Sequence, residues 1–120
     1  MTRICYLIDE DTPHAIRDQL LRHNSQIEVL AVGDPVAPPF GTLDPDILRW
    51  IEQQGTILIS RNRRTLPRHF KDHLEAGGHV PGIFLIRRRS SLGEVIGDLI
   101  LIWENAAAEE YVDRLEYLPL

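Results

Sequence analysis

The chain has a single cysteine, Cys5, so no internal disulfide can form, and a reducing cytosol is its natural compartment. It has no long apolar run. The most apolar stretch, LILIW at 99–103, is closed in by Asp98 and Glu104, far short of the roughly 20 residues of a membrane helix. The opening MTRICYLIDED meets acid at residue 9, too early for the apolar region of a secretory leader. A glycine-rich phosphate loop and a Ser-His-Asp signature are both lacking. These absences leave a cytoplasmic protein without a membrane partner as the expectation. Its 120 residues, 43% hydrophobic and 26% charged, are enough for one domain over 1–120 with a single core.

What the chain does have is segregated charge. The net charge is −5, yet residues 61–89 carry eight Lys/Arg against Asp72 and Glu75, a local balance of +6. The remaining segments balance at −11. A basic band on an acidic protein can meet a polyanion, or can simply solvate helix and strand ends.

Apolar runs alternate with amphipathic stretches. ICYLI (4–8), IEVLAV (27–32), TILIS (56–60) and IFLI (83–86) predict strands buried in a parallel sheet. Between them, Thr12-Pro13 predicts the N-cap and first position of a helix. Asp44-Pro45 predicts the same for a second helix, which turns Ile47, Leu48 and Ile51 inward and stops at Gly55. LPRHFKDHLEAG (66–77) predicts a third helix. Ser91 with Glu94 predicts a capping box for a fourth, reaching Asn105, and the tail predicts a helical turn and a short strand near 116–118. The pattern is an α/β domain, a parallel sheet of about five strands covered by helices on both faces.

In such sheets functional groups gather beyond the carboxyl ends of the strands. Asp9, Glu10 and Asp11 follow the first strand, Asp34 the second, and Arg61 and Asn62 the third, while Asp44 and Asp46 begin the second helix. Three adjacent carboxylates are tolerable either as a solvated loop or around a cation. Convergence from separate strand ends favours the cation, and oxygen ligands of this kind suit Mg²⁺ or Mn²⁺. Such a site activates water at a phosphodiester.

Read in order, YLIDEDTP, LDPDILRWIEQQGTILISRN and HVPGIFLIR resemble the short PIN-like proteins of bacteria, over nearly the whole chain. That resemblance implies a parallel sheet between helix layers and Mg²⁺- or Mn²⁺-dependent hydrolysis of RNA, as in toxin ribonucleases paired with an antitoxin protein. It implies Asp9 as the central metal ligand, Glu10 as its neighbour, and Asp44 as a second ligand. The third acid of the family pattern falls on Asn62, whose amide oxygen can coordinate a cation but brings no charge. The metal site is weakened accordingly, and a catalytically inactive PIN-like module that binds RNA or protein is the alternative. Arg61, Arg63 and Arg64, beside the site, are the candidates for holding RNA phosphates.

Other constellations are weaker. His69 and His73 lie four apart with Asp72 between them, but a zinc site needs a third ligand, and surface histidines are the default. Cys5, Trp50 and Trp103 fall among apolar residues and are expected in the core. Leu99–Trp103 is apolar on nearly all sides, so the 92–103 helix is expected to offer a homodimer or partner surface. A receiver domain would place acids after its first strand too. It needs a phosphorylatable Asp ending strand three and a late Lys, whereas this chain has ISRNRR there and no lysine after Lys71.

Overall fold

The computed structural model describes residues 3–120. Its strands are β1 (Cys5–Ile8), β2 (Glu28–Ala31), β3 (Ile57–Ser60), β4 (Ile83–Ile86) and β5 (Leu115–Leu118). Its helices are α1 (Ala15–His23), α2 (Asp44–Gln54), α3 (Leu66–Glu75) and α4 (Leu92–Asn105), with a 3-10 turn at Ala108–Tyr111. All strand pairs are parallel, in the order β2-β1-β3-β4-β5. The expected α/β architecture of about five parallel strands between helix layers is therefore observed. No helix among the described residues is long and apolar enough to cross a membrane.

Strand side chains alternate between faces, and this splits the core in two. Tyr6, Ile8, Ile57, Ile59 and Phe84 meet Ile16 and Leu20 of α1 and Val95, Leu99 and Ile102 of α4. Leu7, Leu58, Ile83 and Leu85 meet Ile47, Leu48 and Ile51 of α2 and Leu66 of α3. The Tyr6 hydroxyl, fully buried, donates to the Leu99 carbonyl at 2.8 Å and ties α4 to the central strand.

The chain steps the same way from β3 to β4 to β5, but α3 covers one face and α4 the other. The β4–α4–β5 connection thus has the opposite hand to β3–α3–β4, in a class of connection that almost always keeps one hand. After α4 the 3-10 turn brings the chain back to the amino edge, where the Tyr111 ring meets Phe84 edge-on at 5.1 Å.

Helix ends follow the sequence signals in part. Ser91 caps α4, its hydroxyl accepting from the Glu94 N–H at 3.1 Å, and Gly55 ends α2 in the left-handed conformation with φ 72°. Two expected caps are corrected. Helix α1 starts later, with His14 as N-cap and no side-chain cap bond, because the Thr12 hydroxyl instead accepts from the Arg61 N–H at 3.2 Å. Asp44 is the first residue of α2 rather than its cap, because its carboxylate is drawn to Asn62 and Thr65 on the β3–α3 loop. In both cases a partner distant in sequence outcompetes the local backbone.

Candidate functional site at the carboxyl edge of the sheet

Strand order reverses on either side of β1, and β1 and β3 are neighbours at that switch point. Crevices outside the strands' carboxyl ends form at such places. Asp9 continues the ladder beyond β1, its N–H donating to the Ile59 carbonyl at 2.9 Å. Its side chain is therefore set against Ser60, the last residue of β3. Ser60 is wholly buried, and its hydroxyl donates to Asp9 Oδ2 at 2.8 Å; the Glu10 N–H donates to Asp9 Oδ1 at 2.8 Å.

Asp9 is 9% exposed. Burial pushes its carboxyl above the ordinary value, against the opposing hydrogen bonds from Ser60 and the Glu10 N–H. The negative charges of Asp11 and Asp44 push it the same way as burial. Asp44, at the start of α2, is thus near enough to Asp9, at the end of β1, for its charge to be felt there.

Asp44 Oδ2 accepts from the Asn62 side-chain amide at 3.0 Å, with the Thr65 hydroxyl at 3.4 Å and His69 Nε2 at 3.9 Å. Asn62 is held on every side. Its amide also donates to Thr65 Oγ1 at 2.8 Å, its carbonyl accepts from the Thr65 N–H at 3.1 Å, and its N–H donates to Ser60 Oγ at 3.0 Å. Glu10 is exposed and turns to the β2–α2 loop, where its carboxylate accepts from the Gly41 N–H at 2.7 Å. That loop bends at Gly33, with φ 100°, where the Phe40 ring occupies the space a Cβ would need.

The acids divide into two sets. Asp44 and Asn62 are hydrogen-bonded, and Asp9 lies within the field of Asp11 and Asp44. Asp34 is a correction: it leaves the group, its Oδ2 taking Arg17 at 2.6 Å and the Ala31 N–H at 2.9 Å, so its charge is spent locally. Asp46, exposed, pairs with Arg49 within α2. His69 and His73 also diverge, His69 toward Asp44 and His73 to Glu52 at 2.7 Å. Among the described residues no three His, Cys, Asp or Glu side chains are grouped to hold a metal ion. Mg²⁺ and Mn²⁺ commonly take one or two protein carboxylates and leave other positions to water and phosphate, so Asp9 and Asp44 are the residues that could hold one; the Asn62 amide is already bonded to Asp44 and Thr65.

The arginines stand beside the acids. The Arg61 guanidinium donates to the Asp11 carbonyl, and Arg63 donates to the Ile86 carbonyl at 2.6 Å. Arg61, Arg63 and Arg64 line a cavity of about 440 Å³ together with Asp11, Asn62 and Arg88. Ser60 and Arg88 were not singled out by the sequence reading. Ser60 had a signal, as the one polar residue closing the buried run TILI; Arg88 had only its place in the basic band 61–89, which does not say that it joins Arg61 and Arg63.

Cys5, half-buried, has its thiol pushed up to about 11 by burial and then by Glu28, which keeps it protonated and unreactive. Trp50 and Trp103 pack at the margins of the two core clusters, half-buried. Leu101 on α4 is 58% exposed, whereas Val95, Leu99 and Ile102 turn inward. Comparison with protein-family models, curated proteins and solved structures found no match.

Proposed function

We propose that the carboxyl edge of the sheet is a PIN-like site that hydrolyses RNA phosphodiesters with Mg²⁺ or Mn²⁺. The observation that carries this reading is Asp9: a buried carboxylate at the switch point, held by Ser60 and within the field of Asp44, beside unpaired arginines. A charge kept at such a position costs stability and is retained where a ligand uses it.

Asp9 and Asp44 would hold the cation, with Asn62 orienting Asp44 and Glu10 at the rim. Bound there, the cation would supply charge neutralisation and an activated water. The chain's own part is to aim both carboxylates, Asp9 through Ser60 and the Glu10 N–H, Asp44 through Asn62 and Thr65. Arg61, Arg63 and Arg64 bind the phosphates on either side of the scissile one. Any antitoxin protein, or a second copy docked on the 92–103 helix, belongs to the same reading, and Leu92 and Leu101 are exposed apolar residues it would cover.

A non-catalytic module that binds RNA or protein is the second reading. What favours it is Asn62, whose amide is committed to Asp44 and Thr65 and which adds no charge. Melting with and without Mn²⁺, with an RNA cleavage assay, separates the two. Mn²⁺ is expected to raise the melting temperature of wild type by mass action, and Asp9→Asn to remove both that rise and cleavage while staying folded. Equal Mn²⁺ responses in both proteins would reject the cation site. A binding response without cleavage would select the second reading.

A further inference from the structure

Thirteen basic residues include only one lysine, Lys71, and six of the arginines gather at this one edge. Elsewhere Arg17, Arg49 and Arg114 each pair with a carboxylate. Among the described residues, none of Arg61, Arg63, Arg64, Arg87, Arg88 and Arg89 has a carboxylate ion-pair partner within 4 Å. Backbone carbonyls aim three of them instead: Arg61 at Asp11, Arg63 at Ile86, and Arg87 through Nε at Pro119, 2.7 Å. A carbonyl fixes direction and leaves the positive charge uncompensated.

These arginines line two adjoining clefts. One is the cavity beside Asp11 and Asn62 described above. The other, of about 280 Å³, lies beyond the end of β4 and is lined by Arg87, Arg89 and Ser90. Arg61, Arg63 and Arg88 line both. A continuous path of positive charge therefore runs from the acids to the β4–α4 loop.

We propose that the Arg87/Arg89 cleft is a second phosphate-binding subsite, which takes a backbone phosphate of a single-stranded oligonucleotide beyond the cleft beside Asp11 and Asn62. Calling the far end of the path the scissile end rests on the hydrolase reading above; the subsite itself does not. The ligand is a phosphate because arginine's planar fork matches phosphate oxygens two at a time, and this edge is built from arginine alone. It is a single strand because the path is two small adjoining clefts, of about 440 and 280 Å³, that share Arg61, Arg63 and Arg88. A flexible strand can set successive phosphates into such clefts, whereas a duplex resists bending over so short a length.

The test uses fluorescence anisotropy with two probes, octauridylate and the dinucleotide UpU, over a salt series. Arg87 and Arg89 line only the outer cleft, and Arg64 only the inner one. The double variant Arg87→Gln/Arg89→Gln is expected to weaken octauridylate binding about tenfold. It should flatten its log–log salt slope by about 1.4, two contacts at roughly 0.7 each on a single strand, and leave UpU unchanged. Arg64→Gln is expected to weaken both probes. Arg87→Lys/Arg89→Lys, which keeps the charge, should recover the salt slope and so report that the fold is intact. Unchanged octauridylate binding in the glutamine double variant overturns the subsite, as does equal weakening of both probes. An octaglutamate peptide bound as tightly as octauridylate, and lost in the same variant, overturns the phosphate in favour of an acidic protein segment. If wild type shows no Mn²⁺ response while the octauridylate result holds, the hydrolase reading fails and the subsite stands.

Discussion

The two edges of the sheet use the same kinds of side chain to opposite ends. At the amino edge, charges are consumed. Glu52 accepts from His73 and from the His79 N–H, both at 2.7 Å, while Asp113 takes His79 Nδ1 at 2.7 Å and the Val80 N–H at 2.9 Å. These bonds join the end of α2, the end of α3 and the approaches to β4 and β5. At the carboxyl edge Asp9 is buried against its own charge, and six arginines lack carboxylate ion-pair partners among the described residues. Paired charge fastens elements together; unpaired charge held in place is kept for something else to bind.

The largest effect that would break this contrast is Asn62→Asp. It removes the amide that donates to Asp44 and Thr65 and sets a carboxylate against a carboxylate. Unfolding by denaturant without metal should show a loss of about 2–3 kcal/mol. Mn²⁺ should return more stability to this variant than to wild type, and cleavage should rise with it. A variant unaltered in all three measurements would mean that residue 62 lies outside the site.

At the amino edge, Asp113→Ala should cost about 2 kcal/mol. It frees the Val80 N–H and His79, and puts alanine at φ 59°, which aspartate and asparagine tolerate better. Asp113→Asn should cost clearly less, and neither variant should change the Mn²⁺ response. A change in that response would couple the two edges and end the comparison.

A smaller effect sharpens it. Thr56, at the amino end of β3, is 3% exposed, and its hydroxyl has no hydrogen-bond partner among the described residues. Thr56→Val should therefore stabilise the protein by about 1 kcal/mol, measured by denaturant midpoint. Destabilisation would reveal a hydroxyl that is satisfied after all.

The smallest effects are in pH dependence. The folded protein holds the Asp9 proton more tightly than the unfolded chain, whose ordinary value is 3.8, so Asp9's contribution falls as pH rises through its raised folded value. Toward pH 3.8 wild type should gain on Asp9→Asn. The hydrogen bond from His79 to Asp113, and then the Asp113 charge, push His79 up. Its stabilisation is complete below 6.5 and is lost as pH rises through the folded value, so above 6.5 wild type should lose ground relative to Asp113→Asn. Stability profiles parallel to the variants at both ends would show that neither group titrates differently on folding.

The layers of this fold were legible because β1, β3 and β4 are nearly unbroken apolar runs and α1 and α2 carry an apolar stripe. Helix ends were legible where a side chain serves its own backbone, as Ser91 does, or where glycine ends the turn, as Gly55 does. Thr12 and Asp44 misled because they have the right chemistry for a cap and better partners 49 and 18 residues away, respectively. The gathering of Asp9, Asp44 and Asn62 at one edge follows from strand ends alone. Asp34 shares that address in the chain, and only the placement of Arg17 on α1 removes it. The face chosen by α4 could not be read, since Leu99–Trp103 is apolar in almost every direction.

That choice of face decides the order in which a chain growing from its amino end can close its core. The buried members of the α2/α3 cluster end at Leu85, so that half can consolidate once β4 has been made. The α1 half cannot. Tyr6 waits for Leu99, a partner 93 residues later, and through most of synthesis Ile16 and Leu20 lack their cover from Val95, Leu99 and Ile102. During that interval the nascent protein is a sheet with one finished side and one greasy one, and that open side is where a chaperone would bind.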